Sequence, residues 1–231
     1  MIFSEFFKDA ILDYIYFIEK DYSEKSVLKI ICDRYGLSGV ERTILFRGIT
    51  KKYIANKRKQ KIANINDLKN QTIFIDGYNV LITIASYLEG NFTFVGNDGV
   101  LRDVCESHGI IRNEDLLLKA LFLIFDYLDK NKIKETYIYL DKPVSFSGIL
   151  SQRINKYFNE EKINGFCETV HSPDYNLKNL TDGICSTSDS TIIDKTNTKI
   201  FDIPKNLLEF YYSPQFFSIE RFINPNFDLI K

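Results

Sequence analysis

The chain has 231 residues, 45% of them hydrophobic, and a formal net charge of −1. That length allows one large domain or a domain with a small appendage, and that composition excludes intrinsic disorder. Residues 1–70 hold 14 Lys and Arg against 9 Asp and Glu, and the remainder holds 16 against 22, so a basic front part precedes an acidic back part.

The opening stretch Met1–Phe17 is apolar but carries Glu5, Lys8, Asp9 and Asp13. This is the spacing of an amphipathic helix over 3–20, not of a membrane span or export signal. Ser23 reads as the N-cap of a second helix over 24–35, which Gly36 stops. Ser38 starts a third over about 39–54, so the two flank a short glycine turn with helix-turn-helix spacing. Arg47, Lys51, Lys52, Lys57, Arg58, Lys59 and Lys61 follow with no acidic residue between Glu41 and Asp67. They form a candidate phosphate-binding patch, or simply a solvated helix end.

From Gln71 the pattern changes. Thr72–Ile75, Tyr137–Leu140, Phe166–Val170, Gly183–Ser186 and Lys199–Ile203 are short apolar runs expected to be strands buried on both faces. Helices are expected at about 80–88, 114–130 (capped by Asn113) and 147–161. Phe92–Val95 and Val100–Val104 flank Gly96-Asn97-Asp98-Gly99, a hairpin signal with a type I′ turn as the simplest form. The alternation predicts an α/β fold: a Rossmann-type, mainly parallel sheet with helices on both faces over 71–203. A small helical domain over 1–62 precedes it, and a C-terminal helix and aromatic arm over 204–231 follows.

Three of the strand runs lead to an aspartate: Asp76, Asp141 and Asp189. In an open parallel sheet the carboxyl ends of the strands border the ligand crevice. One such Asp is more often a turn or cap residue, but three at corresponding positions point to a site. Carboxylates crowded together raise one another's pKa, and a divalent cation with oxygen ligands relieves the repulsion. Ser145 and Ser147 follow Asp141 before a helix and suit either phosphate binding or capping. Cys32, Cys105, Cys167 and Cys185 form no CxxC pair. With only His108 and His171 beside them, zinc is disfavoured and a reducing cytoplasm is expected.

The segment Ile75-Asp76-Gly77-Tyr78-Asn79-Val80 resembles the first motif of the PIN-like nucleases, especially the NYN branch, and Ser186-Thr187-Ser188-Asp189-Ser190 is similar to their late motif. Asn97–Asp103 and Leu140–Gly148 resemble the PIN-like family DUF5616. Tyr22–Gly48 resembles the DUF434 helical domain that accompanies it. The resemblance implies that Asp76 is the first metal ligand and Asp189 the last, with Asn79 orienting Asp76 or a phosphate. The usual acidic residue on a middle helix has only Glu114 and Asp115 as matches. Asp98 and Asp103, with Arg102 between them, are alternative sources of the missing carboxylates.

The expectation is therefore a metal-dependent endoribonuclease. Asp76, Asp103, Asp141 and Asp189, with Asp98, would hold Mg2+ or Mn2+. Asn79, Arg102, Ser145, Ser147, Arg47, Lys51, Lys52, Lys57 and Arg58 would contact the nucleic acid. RNA is the expected substrate, with DNA possible through the helical domain, and the resemblance implies 3′-hydroxyl and 5′-phosphate products. The alternatives are an inactive PIN scaffold acting as a nucleic-acid-binding adaptor and an enzyme of small phosphate esters. The chain lacks GxGxxG and GxxxxGK[ST] loops, which disfavours dinucleotide and NTP chemistry.

Overall fold

The computed structural model describes residues 3–105 and 114–225 and, of Glu114, the backbone only. Asn113 and His108 lie outside the described residues. The chain divides into two compact units that interleave in sequence. The first takes residues 1–60, 90–106 and 214–231; the second takes 61–89 and 107–213. By compactness alone, the first unit is assembled from three separate stretches of the chain.

With elements numbered along the whole chain, the first unit holds α1 (Phe7–Glu19), α2 (Glu24–Tyr35), α3 (Gly39–Gly48) and α4 (Lys52–Lys61, whose last residue belongs to the second unit). It also holds β2 (Thr93–Val95), β3 (Leu101–Asp103), β8 (Phe217–Ser218) and α11 (Ile219–Ile223). Phe7, Ile11, Tyr14 and Ile18 of α1 pack with Ile31, Ile44, Leu45, Phe94 and Ile219 in one apolar core. The tail expected to be an irregular arm adds its strand to β2 and its Phe217 and Phe222 to the rings of Phe3 and Phe7.

Gly36 ends α2 in the left-handed conformation, as expected, whereas Ser23 makes no side-chain cap bond. Ser38 does cap α3, in a box with Glu41. The third helix expected over 39–54 is broken into α3 and α4. Asn97 explains the break: its side chain accepts from the Thr50 N–H and donates to the Thr50 carbonyl, and its own N–H bonds the Gly48 carbonyl. Backbone groups used this way cannot continue a helical ladder.

The hairpin forms where expected, with a different turn. Gly99 N–H bonds the Gly96 carbonyl, and Gly99 has φ +84° whereas Asn97 and Asp98 do not enter the positive range. That is a type I turn closed by a left-handed glycine, not the type I′ form, which needs two positive φ values. Asp98 is 1% exposed and bridges Arg102 through both oxygens at 2.8 Å, with Arg58 at 3.0 Å. Burial pushes its carboxyl up, but the Arg102 and Arg58 guanidiniums prevail and hold it down at about 2.

The second unit is built on a five-stranded sheet in the order β5-β4-β1-β6-β7, with every pairing parallel. Its strands are β1 (Thr72–Asp76), β4 (Glu135–Asp141), β5 (Gly165–Val170), β6 (Ile184–Ser186) and β7 (Lys199–Ile200). The helices are α5 (Gly77–Leu88), α6 (Glu114–Lys130), α7 (Ser147–Glu160), α8 (Pro173–Lys178), α9 (Ser190–Lys195) and α10 (Ile203–Tyr212). From β1 the chain builds outward through β4 and β5, then returns to the other side of β1 for β6 and β7. The reversal of strand order therefore falls at β1, where open α/β sheets place their ligands. Among the described residues no helix is long and apolar enough to cross a membrane.

Removing Asp98 would take from two buried guanidiniums the carboxylate that both of them engage. We expect Asp98→Ala to cost about 3 kcal/mol and to lower the melting midpoint by about 10 °C. Because the carboxyl is depressed, its contribution is full above the unfolded value of 3.8 and is lost as pH falls toward about 2. Urea melts of both chains from pH 6 to pH 2 should therefore converge; a gap that stays constant down to pH 2 would show that the ionised carboxyl is not what stabilises the cluster.

Candidate functional site

The site is set by the central strand. β1 runs Thr72–Asp76 with Ile73 and Ile75 buried, so period-two alternation places Asp76 one step beyond a buried position at the strand's end. Gly77 then turns directly into α5. A Cβ at Gly77 would lie 2.8 Å from the Tyr139 carbonyl oxygen and 2.6 Å from Leu140, so only glycine lets the helix start against β4. Asp76 occupies the N-cap of α5 without capping it. Its Oδ2 accepts instead from the Thr187 hydroxyl at 2.8 Å.

The loop beyond β6 is locked to the same place. Asn79 Oδ1 accepts from Ser188 N–H at 2.7 Å and Ser188 Oγ at 3.0 Å. Asp189 caps α9, its Oδ1 accepting from Thr191 N–H at 2.7 Å and Ile192 N–H at 3.0 Å. The capping reading of this aspartate is thus satisfied by one oxygen, and the second lies outside the cap. Asp141 ends β4 next to β1, half-buried.

Electrostatically these groups form one cluster. Asp76 is 7% exposed. Burial, opposed by the Thr187 hydrogen bond and reinforced by Asp141, Asp189 and Asp174, pushes its carboxyl up to about 7. Burial and then Asp174 raise Asp141 as well. Asp174 is the member that sequence reasoning missed. It lies in the first turn of α8, behind the Ser172 cap and Pro173, and pairs with Lys178 at 2.9 Å. The signal was present: a strand run ending at Val170, then Ser-Pro-Asp as a helix start. Among the described residues, Asp76, Asp141 and Asp189 have no lysine or arginine partner.

Other expected members stand elsewhere. Asp98 and Asp103, expected to complete the carboxylate set, belong to the first unit and are neutralised by guanidiniums. Arg47 Nη1 donates to the Asp103 carbonyl at 2.7 Å and to its Oδ1 at 3.3 Å. Arg102 is 1% exposed and Arg58 7%, both buried around Asp98, so neither is presented to a substrate. Lys51 pairs with Asp21, which leaves Lys52 and Lys57 as exposed members of the expected basic patch. Ser147 is buried and donates to the Lys142 carbonyl, stapling its loop, while Ser145 is exposed. Asp115, His171 and Asp194 are exposed.

Among the described residues, no group of three or more Asp, Glu, His or Cys side chains is arranged to hold a metal ion. The five-ligand set Asp76, Asp98, Asp103, Asp141 and Asp189 is therefore not assembled. What the second unit brings together is a desolvated carboxylate with three others acting on it, all hard oxygen donors. That chemistry fits Mg2+ or Mn2+, which keeps several of its own waters and takes one or two carboxylates. Cys185, buried beside Asp76, has its thiol pushed up by burial and so is no thiolate donor.

The fold and this edge define a parallel α/β protein with an acidic switch-point site. The family described as "Domain of unknown function (DUF5616)" matches residues 65–206, and the chain belongs to it. "Protein of unknown function (DUF434)" matches residues 6–61. A similar protein is the uncharacterized protein MJ0935 of Methanocaldococcus jannaschii, 32% identical over 199 residues that cover 86% of this chain and 94% of that one. No solved structure matches.

A carboxyl raised from 3.8 to about 7 opposes folding at neutral pH, because the unfolded chain ionises it freely. In the metal-free protein, Asp76→Asn should therefore be stabilising. The gain should be near zero below pH 4, grow as pH rises, and level off above pH 7 at about 4 kcal/mol. Thermal melts of the two chains in a chelator across that range test the sign; a variant less stable at pH 8 would refute the burial argument.

Proposed function

We propose that the second unit is a PIN-like, NYN-type nuclease domain that hydrolyses RNA phosphodiester bonds with Mg2+ or Mn2+. The observation that supports this reading is Asp76, a buried carboxylate at the strand-order reversal with other carboxylates pressing on it and no cationic side chain among the described residues to neutralise it. Such a group is costly to the fold, and a divalent cation offsets the cost.

In this reading Asp76, with Asp141 or Asp189 beside it, would hold an ion that keeps several of its own waters, and Asp174, paired with Lys178, would act on it from further out. When bound, the ion supplies Lewis-acid stabilisation of phosphate charge and lowers the pKa of a coordinated water. The rest falls to the chain's own groups. Thr187 fixes one oxygen of Asp76. Ser188 engages Asn79 Oδ1, which fixes the amide's orientation and leaves its N–H groups as the donors for a phosphate oxygen. The second reading is an inactive scaffold that binds nucleic acid, and it is kept because no three acidic side chains among the described residues are grouped to hold an ion.

A panel of unpaired and structured RNAs incubated with the full chain and Mn2+ separates the two. We expect cleavage that chelation stops and that Asp76→Asn lowers by about a hundredfold or more. Mn2+ should also raise the melting midpoint of the parent and not of the variant. Binding without cleavage, and no Mn2+ shift, would establish the scaffold reading instead.

A further inference from the structure

The loop that leaves β4 carries an aromatic residue whose backbone is strained and whose ring is left in solvent. Phe146 is 77% exposed, the most of any large hydrophobic residue among those described. Its backbone is left-handed, with φ 66° and ψ 8°, which a bulky side chain rarely adopts. The other described non-glycine residues with positive φ are Asp21, Asn70, Lys132, Lys162 and Ser213, and each follows a helix end. A left-handed residue there closes the helix. Phe146 stands at the opposite end, in the N-cap position of α7, and makes no side-chain cap bond. Ser, Thr, Asp or Asn would stabilise that position.

The same loop begins at Asp141 and continues through Lys142, an exposed cation with no acidic partner among the described residues. The neighbouring strand β5 leads to Tyr175, 72% exposed and adjacent to Asp174. Because β1, β4 and β5 run parallel, the edge of the sheet where Asp76 and Asp141 end their strands also carries Lys142, two exposed rings and the first turn of a 14-residue helix that no side chain caps. A cation and uncapped N–H groups suit a phosphate, and a ring face suits a base.

We propose that Phe146 is the specificity-determining residue of the Asp76 site. An unpaired nucleobase beside the scissile phosphate stacks on its ring, while Lys142 and the first turn of α7 meet the adjoining phosphate. A base inside a duplex has both faces covered by its neighbours and cannot take this position, so the site selects unpaired over paired RNA. The inference rests on the nucleic-acid reading of the Asp76 site, and its test separates the two.

The chain contains no tryptophan, so Phe146→Trp introduces a single fluorescent reporter that can still stack. In the Asp76→Asn background with a chelator present, which suppresses turnover, an eight-nucleotide oligouridylate should quench that fluorescence, and a duplex RNA of the same length should not. Phe146→Ala should weaken oligouridylate binding about tenfold and leave duplex binding unchanged. Phe146→Gly, which relieves the left-handed backbone, should bind as weakly and melt no lower than the parent. A packing role would instead lower the melting point of both. Absent quenching, or equal oligouridylate binding by the parent and Phe146→Ala, overturns the proposal. If quenching occurs while the unmutated chain cleaves no RNA with Mn2+, the nuclease reading falls and stacking stands. If cleavage occurs and Phe146→Ala discriminates as the parent does, the reverse holds.

Discussion

Asp76 has lost its water at the end of the central strand, and one hydroxyl is its only described hydrogen-bond partner. Nearly every local choice around it serves to keep it there. Gly77 allows α5 to begin without clearance from β4. Thr187 and Ser188 tie the loop after β6 to Asp76 and Asn79, across 111 and 109 residues of sequence. The parallel order around β1 then brings the ends of β4 and β6 to either side. A fold selected for stability alone would replace this carboxylate with an apolar group, since an isolated buried charge costs more than any single hydrogen bond returns. The surroundings therefore hold in place a carboxylate that stability alone would not select.

The two units resolve the same problem in opposite ways. Asp98 is as buried as Asp76, but two guanidiniums surround it and its carboxyl is driven down instead of up. That aspartate is spent on structure: it holds the hairpin turn, the end of α4 and Arg102 in one cluster. The Asn97 side chain beside it breaks what would otherwise be one long helix. A charge already matched has no further call on a cation, whereas an unmatched one does. This difference in partners, not the presence of aspartate, separates the acidic edge of the sheet from the acidic hairpin.

That difference also explains what could be read from the sequence. Apolar runs leading to Asp located β1, β4 and β6, with β4 starting two residues earlier than expected, because period and strand-end polarity are local properties. The partners of Asp98 and Asp103 were not legible. Arg58 and Arg47 lie 40 and 56 residues away, and only the fold reveals which carboxylate each one meets. Asp174 was passed over because Ser-Pro-Asp reads equally well as a simple helix start, and it is one. Asp189 shows that the two meanings coexist: the same side chain caps α9 and acts on Asp76. The aromatic tail packs, as expected, but as a short strand and helix and not as an irregular arm: Phe217 and Phe222 meet Phe3 and Phe7 from the start of the chain and Phe92 from the hairpin, partners that no local pattern names.

The family boundaries and the compact units do not coincide, and the mismatch carries a consequence for how the chain folds. The DUF5616 region spans 65–206, but its hairpin over 93–103 packs in the unit that contains the DUF434 helices. The core of that unit needs Phe94 from the hairpin and Ile219 from beyond both family regions. Neither Gly48 nor the break after α3 makes sense without them: Gly48 is in contact with Phe94 and Ile219 and bonds Asn97. The helices over 6–61 thus lack part of their own core when separated from the hairpin. An interior missing one large aromatic and one aliphatic residue loses several kcal/mol, comparable with the whole stability of a small domain. The two family regions are therefore matched as separate sequences but fold as parts of one chain.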